Sequence, residues 1–250
     1  MKKIYDLFVI PENYSELELN EFVKTAQELG LAGLCFCFDL GSKSKIEEAK
    51  EAIQQLKKNK NKDCEIFFGI IINETKKEKM IQKINQLGNI ADIIVAKAVN
   101  AEMQRAICEN EKIDLLIRNY TFENESQKES YFDKIMTNLC KKNNIANTIL
   151  FSDLTTIMRT KRAKYLNFVK TDLKLFRKQK APIVVVSAAK SPRELKDEYS
   201  LLSIIKIFEK DSEFVKSVGN NTEKIIEKIK EKKSKDYISE GIKLSKLSNS

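Results

Sequence analysis

Residues 65–96 read EIFFGIIINETKKEKMIQKINQLGNIADIIVA, and they show most directly how this chain folds. The stretch opens with an almost continuous apolar run, which is typical of a strand buried on both faces of a parallel sheet. Lys76–Leu87 follows with the apolar spacing of an amphipathic helix, and Ala91–Ala96 is a second short apolar run. The stretch therefore predicts a strand–helix–strand unit.

The same alternation continues in both directions along the chain. The predicted strands are Ile4–Ile10, Ala32–Phe38, Glu65–Ile72, Ala91–Ala96, Ile113–Ile117, Ala146–Phe151 and Pro182–Ser187. The predicted helices are Leu17–Leu29, Lys45–Lys58, Lys76–Leu87, Ala101–Cys108, Ser126–Lys142, Thr156–Gln179, Leu195–Phe208, Ser212–Val218 and Thr222–Lys232. Short connections and right-handed crossovers leave two architectures, an open doubly wound sheet and a (β/α) barrel.

The strands are evenly spread and no Gly- or Pro-rich linker divides them, which favours one α/β domain. We predict a single distorted TIM-like (β/α) barrel with about seven parallel strands and extra C-terminal helices. An eighth strand is not evident, because its only candidate, Ser203–Ile207, has helical flanks. We expect the barrel domain to cover residues 1–232, and residues 233–250 to form a charged, flexible tail that begins as a frayed helix.

Composition excludes several classes of protein. The chain has 250 residues and is 42% apolar, so it can bury a full core. No stretch approaches the roughly 18–20 apolar residues of a membrane span, and the N-terminal segment is too short for a signal peptide. The five cysteines lack the spacing of a zinc site and predict reduced thiols packed in the core of a cytoplasmic protein.

The chain lacks the residues and motifs that most enzymes use for catalysis. It has no histidine, which excludes an imidazole base, a Ser–His or Cys–His pair and a His-containing metal site. Neither Gly-rich phosphate fingerprint occurs. We therefore expect no catalytic residue, no metal and no cofactor. The alternative is a magnesium-dependent (β/α)-barrel hydrolase that uses Asp6, Asp39 and Asp153, although the nearby Lys97 and Arg118 would oppose a dication.

Positive charge is concentrated in one part of the chain. Residues 155–193 carry eleven Lys or Arg residues and a single acid, Asp172, so this stretch has a net charge of +10 while the whole chain has +9. On a helical projection of Thr156–Gln179, one side carries the apolar residues and the other carries Arg159, Lys164, Lys170, Lys174, Arg177 and Lys178. A concentrated cationic face of this kind is typical of a site for a polyanion. The alternative interpretation is a solvated helix surface without a ligand.

A second anion site is predicted after the last strand. Ser191-Pro192 has the composition of a helix start, and the N-terminus of a helix attracts anions. Lys190 and Arg193 lie on either side of it.

Three blocks of sequence resemble one known family. They are ADIIVAKAVNAEMQRAICENEKIDLLIRN (Ala91–Asn119), RAKYLNFVKTDLKLFRKQKAPIVVVSAAKSPREL (Arg162–Leu195) and VGNNTEKII (Val218–Ile226). The chain resembles the archaeal and eukaryotic protein component 3 of ribonuclease P, whose barrel is related to the polymerase-and-histidinol-type phosphoesterases. The likeness runs to about Ile229.

The chain departs from the family pattern at several positions. The related metal hydrolases carry Asp-x-His-x-His in the first strand, where this chain reads Asp6-Leu7-Phe8-Val9-Ile10. The family's S-S-G-A turn is Ser187-Ala188-Ala189-Lys190 here, and Arg118-Asn119 stands where the family often has His-Pro. The resemblance thus implies a barrel that has lost its metal chemistry.

The resemblance implies a noncatalytic subunit of the ribonuclease P endoribonuclease. Such a subunit stabilises the catalytic RNA, which removes the 5′ leader of precursor tRNA, and it meets precursor tRNA only indirectly. The implied partners are ribonuclease P RNA and a small ferredoxin-like protein subunit. A pure protein scaffold, docking through Leu195–Phe208 and Thr222–Lys232, is a further alternative. We predict that the residues that contact RNA phosphates are Arg105, Arg118, Lys164, Lys170, Lys174, Arg177, Lys178, Lys190 and Arg193.

Overall fold

Seven parallel strands form the centre of the protein. The fold was analysed in a computed structural model that describes residues 3–39, 43–58, 63–118, 132–233, 237–239 and 242–243. The strands are β1 (Tyr5–Val9), β2 (Gly33–Asp39), β3 (Glu65–Ile72), β4 (Ile93–Ala98), β5 (Leu115–Arg118), β6 (Ala146–Leu150) and β7 (Ile183–Val186). They pair in sequence order, and every neighbouring pair is parallel. The predicted barrel is therefore confirmed, and the open doubly wound sheet is excluded.

Helices lie between the strands and after the last one. They are α1 (Glu16–Glu28), α2 (Lys43–Lys58), α3 (Lys77–Leu87), α4 (Ala101–Cys108), α5 (Lys134–Asn143), α6 (Phe151–Thr156), α7 (Arg159–Gln179), α8 (Glu198–Phe208) and α9 (Ser212–Lys232). The short helix α6 was not predicted. The first residues of the predicted helix Ser126–Lys142 lie outside the described ranges, and the described helix begins after Asp133, whose carboxylate accepts the backbone N–H of Met136 at 2.6 Å.

Alternate residues of the strands pack on two sides of the sheet. Cys35, Cys37 and Val95 belong to a cluster inside the barrel, whereas Phe36 and Phe38 belong to the layer between the sheet and the outer helices. All five cysteines are buried. This two-sided burial explains why the strands read as continuous apolar runs.

β1 and β7 are joined by the chain that follows β7 and not by a regular ladder. The backbone N–H of Ala188 donates to the carbonyl of Phe8 at 3.1 Å, and that of Ile10 donates to the carbonyl of Ala189 at 2.9 Å. The backbone N–H of Ser187 also donates to the carboxylate of Asp6, at 3.2 Å to one oxygen. These bonds close the barrel at the end where the strands finish.

α9 fills the opposite end of the barrel. Its Ile225, Ile226 and Ile229 are buried in the interior cluster. The Asn221 side chain donates to the carbonyl of Ile183 at 2.8 Å, and the Thr222 hydroxyl oxygen accepts the backbone N–H of Tyr5 at 3.5 Å. The sequence predicted two helices here, and the structure has one, because the continuous helix buries the apolar side chains of both halves.

The position of α9 removes one of the two docking segments of the scaffold alternative, which were Leu195–Phe208 and Thr222–Lys232. A scaffold that docks a partner through Thr222–Lys232 would need an accessible apolar face on that segment. That face is already buried in the barrel.

Two further predictions differ from the structure. The helix after β7 begins at Glu198 and not at Leu195, because the Asp197 carboxylate caps it by accepting the backbone N–H of Ser200 at 2.7 Å. In the C-terminal segment, Tyr237–Ser239 and Ile242–Lys243 pair as antiparallel strands, where a frayed helix was predicted. The division into a domain at 1–232 and a flexible tail at 233–250 stays a prediction. Within the described ranges, no helix has both the length and the apolar content to cross a membrane.

Candidate nucleic-acid interface

α7 carries most of the concentrated positive charge. The helix has 21 residues, so it is about 31 Å long. Tyr165, Val169, Leu173 and Phe176 are buried against the core, which fixes the orientation of the helix about its own axis. The opposite side therefore faces solvent along the whole helix.

The single acid of α7 points inward. The Asp172 carboxylate lies 2.5 Å from a guanidinium nitrogen of Arg118, at the end of β5, and both side chains are at most 2% exposed. The rings of Phe132 and Phe168 flank the guanidinium, with centroids 5.4 and 5.2 Å from its carbon. Because this carboxylate is buried and paired, it does not reduce the positive charge on the outer face of α7.

The side chain of Arg118 therefore does not lie at the barrel mouth, where we predicted it from the sequence. It was predicted to contact a phosphate at the barrel mouth, but strand alternation turns its side chain outward beneath α7, where it is buried. A buried, paired guanidinium cannot reach RNA in this conformation, and we remove Arg118 from the predicted set. Asn119 lies outside the described residues.

The exposed face of α7 presents cations without acidic partners. Four lysines of α7 are exposed and have no ion pair among the described residues: Lys164, Lys170, Lys174 and Lys178. Arg159, Lys161 and Arg162 are also exposed at the start of the helix, and the Arg162 side chain donates to the carbonyl of Ile157 at 2.8 Å. We call Lys164, Lys170, Lys174 and Lys178 the α7 cationic face.

Two other predicted residues are already paired. The Arg177 guanidinium lies 2.5 Å from a carboxylate oxygen of Glu209 and 2.6 Å from one of Asp211, and it packs on the ring of Phe214. It ties the end of α7 to the connection between α8 and α9. Arg105 on α4 lies 3.3 Å from Glu109, one helical turn away, in an exposed pair that contributes little to stability.

The predicted anion site after β7 is not formed. Pro192–Glu194 is a single 3-10 turn, too short to align the backbone dipoles that favour an anion. The Glu194 carboxylate instead accepts the backbone N–H of Lys190 at 2.8 Å. The side chains of Lys190 and Arg193 remain exposed, so only a side-chain contact with a phosphate is open to them.

The three aspartates of the alternative hydrolase do not form a metal cluster. Asp6 is fully buried between β1 and the chain after β7, Asp153 is half-buried in α6, and Asp39 is exposed. Burial raises the pKa of Asp6 to about 6, and burial also raises the pKa of Asp153 to about 6. Within the part of the chain that the structure describes, no group of three or more acids or cysteines is arranged to hold a metal ion.

The buried Asp6 makes stability depend on pH. Its folded-state pKa of about 6 lies above the unfolded value of about 3.9, so between these values the folded protein holds a proton that the unfolded chain has released. The contribution of Asp6 to stability is therefore present below about pH 4 and is lost as the pH rises to about 6. It amounts to on the order of 3 kcal/mol.

Asp6→Asn should remove this contribution. We expect the difference in unfolding free energy between wild type and Asp6→Asn, from urea titrations at pH 4 to 7, to change across that window and to be constant above it. Asp39→Asn, at an exposed carboxylate, serves as the control for the loss of one acidic side chain. Parallel wild-type and Asp6→Asn curves would contradict the assigned role.

One family of known proteins matches almost the whole chain. The family described as "RNase P subunit p30" matches residues 3–234. The chain is 26% identical over 166 residues, 66% of each chain, to ribonuclease P protein component 3 of Methanothermobacter thermautotrophicus. It is 23% identical over 246 residues to the Methanosarcina acetivorans protein of the same name, covering 97% of this chain and 95% of that one.

Solved structures share the fold. A chain in a cryo-EM structure of archaeal ribonuclease P with mature tRNA superposes with a TM-score of 0.76 at 20% identity, covering 98% of this chain and 100% of that chain. A histidinol phosphate phosphatase from Lactococcus lactis, complexed with zinc, histidinol and phosphate, gives a TM-score of 0.53 at 13% identity and covers 92% and 94% of the two chains.

Proposed function

This chain belongs to the RNase P subunit p30 family, and on that premise we propose that it acts as a noncatalytic protein subunit of ribonuclease P. In this role it binds the RNA subunit and stabilises its compact state, in which the RNA removes the 5′ leader of precursor tRNA. The proposed partners are ribonuclease P RNA and a small ferredoxin-like protein subunit, with precursor tRNA met only indirectly. The proposed location is the cytoplasm, which the buried thiols support.

One observation carries the RNA-binding part of the proposal. α7 turns its only acid inward to Arg118 and presents Lys164, Lys170, Lys174 and Lys178 to solvent. Closely packed RNA phosphates repel one another, and cations placed between them reduce that repulsion while releasing condensed counterions. A rigid row of lysines suits this task because it needs no catalytic group.

The contact set follows from these positions. The α7 cationic face is its centre, and Lys190 and Arg193 extend it at the barrel mouth. Arg105 and Arg177 stay in the set only if RNA displaces their carboxylate partners. For the protein partner, the exposed Tyr199 and Ile207 of α8 offer apolar surface.

Co-purification tests the function. A tagged copy of the chain, expressed in its native source, should recover ribonuclease P RNA as the most enriched transcript, together with a ferredoxin-like protein. Nuclease treatment should remove the RNA. The control is a tagged copy in which the α7 cationic face is reversed to glutamate, and it should recover less of this RNA. Recovery of unrelated transcripts at the same level would contradict the proposal.

A further inference from the structure

A second group of cations surrounds a cavity at the end of the barrel where the strands begin. The cavity has a volume of about 470 Å³ and lies between the C-terminal ends of α5 and α7 and the middle of α9. Lys141, Arg177, Lys180 and Lys224 line it, together with the ring of Phe214, and no lining residue is acidic. A cavity of this size accommodates a small polar group or one nucleotide unit.

Three of the four cations that line the cavity have no acidic partner among the described residues. Arg177 is held by Glu209 and Asp211. Lys141, Lys180 and Lys224 are exposed, and their side chains have no hydrogen bond or ion pair within the described residues. The C-terminal end of a helix dipole is negative and favours cations, which accounts for Lys141 near the end of α5 and Lys180 at the end of α7. The dipole does not account for Lys224, which lies in the middle of α9.

The backbone of Lys180 gives an independent indication. Lys180 caps α7 in the left-handed conformation, with φ 55° and ψ 39°, and its N–H bonds to the carbonyls of Phe176 and Arg177. Glycine is preferred at such a cap because a Cβ atom is disfavoured there. A lysine at this position therefore adds strain that the fold does not need, and this lysine lines the cavity.

We propose that this cavity binds a phosphate group of the RNA backbone and continues the α7 cationic face around the end of the barrel. Lys178, on that face, and Lys180 are two residues apart, so one strand of RNA can follow both surfaces. Ammonium groups are compact charges that suit phosphate without demanding a particular base. This inference rests on the proposed function, because it assigns RNA as the source of the phosphate.

Lys180→Gly tests the cavity, and Asn144→Gly is its matched control. Asn144 caps α5 in the same left-handed conformation, with φ 54° and ψ 41°, and it lines the same cavity without a charge. We expect Lys180→Gly to leave the unfolding midpoint in urea unchanged or higher. We expect its affinity for ribonuclease P RNA to fall about five- to tenfold in filter binding, with the slope of log K against log salt smaller in magnitude by about one. Asn144→Gly should leave affinity and slope unchanged.

A triple variant, Lys141→Gln with Lys180→Gly and Lys224→Gln, strengthens the test. If the triple variant binds RNA with wild-type affinity and salt slope while reversal of the α7 cationic face weakens binding, the cavity assignment is overturned and the proposed function stands. If neither variant changes RNA binding, both fail. Loss of affinity in Asn144→Gly equal to that in Lys180→Gly would also overturn the inference, because the backbone and not the charge would then be responsible.

Discussion

Replacing Asp172 with asparagine should lower the unfolding free energy by about 3–5 kcal/mol, because it removes the negative charge next to the buried Arg118 guanidinium. The two groups are 2.5 Å apart and at most 2% exposed, so water cannot replace the missing carboxylate. Phe132 and Phe168 stabilise the cation through their ring faces but do not neutralise it. Urea denaturation followed by circular dichroism measures the decrease.

A double variant separates stability from RNA binding. Arg118→Met combined with Asp172→Leu removes both charges and fills the space with apolar atoms, so most of the stability should return. Because neither side chain reaches solvent, this variant should bind ribonuclease P RNA within about twofold of wild type. A large loss of RNA affinity in the stable double variant would mean that Arg118 contacts RNA after all, as the sequence first predicted.

Reversing the α7 cationic face should have the largest effect on RNA binding. Lys164, Lys170, Lys174 and Lys178 changed to glutamate should weaken binding by at least about a hundredfold at about 0.15 M salt. The slope of log K against log salt should become smaller in magnitude by about three, at roughly 0.7 to 0.9 for each phosphate that is no longer neutralised. Stability should change little, because these side chains are exposed and have no ion pair within the described residues.

The control for this prediction carries the same change in net charge. Lys24, Lys50, Lys76 and Lys79 lie on or beside α1, α2 and α3, which follow β1, β2 and β3, whereas α7 lies between β6 and β7. Their reversal to glutamate should weaken RNA binding only through the general decrease in positive charge and should leave most of the salt slope intact. Equal effects in the two variants would show that net charge, and not the α7 cationic face, governs binding.

The resemblance to the ribonuclease P family could be recognised from the sequence because it depends on short blocks of consecutive residues. The strands could also be predicted from consecutive residues. The run FFGIII must be buried on both faces, and only a parallel sheet covered by helices provides that environment. The exposed side of α7 was also predictable, since helical periodicity alone separates its lysines from its apolar residues.

The partners of the charged residues were not predictable. Arg118 and Asp172 are 54 positions apart, and the sequence shows one as a strand-end cation and the other as an isolated acid. Strand alternation at the end of β5 decides that Arg118 points under α7 and not into the barrel mouth.

The sequence by itself determined the seven strands of the barrel, most of the helices, the order of these elements, the exposed side of α7 and the absence of histidine chemistry. Only the tertiary structure decided that α9 fills one end of the barrel, that Arg177 is bound by two acids, and that Lys141, Lys180 and Lys224 line one cavity. Periodicity along the chain reports whether a side chain is buried. Which residues a side chain contacts from distant parts of the chain depends on how the helices pack on the sheet. No local sequence pattern predicts that packing.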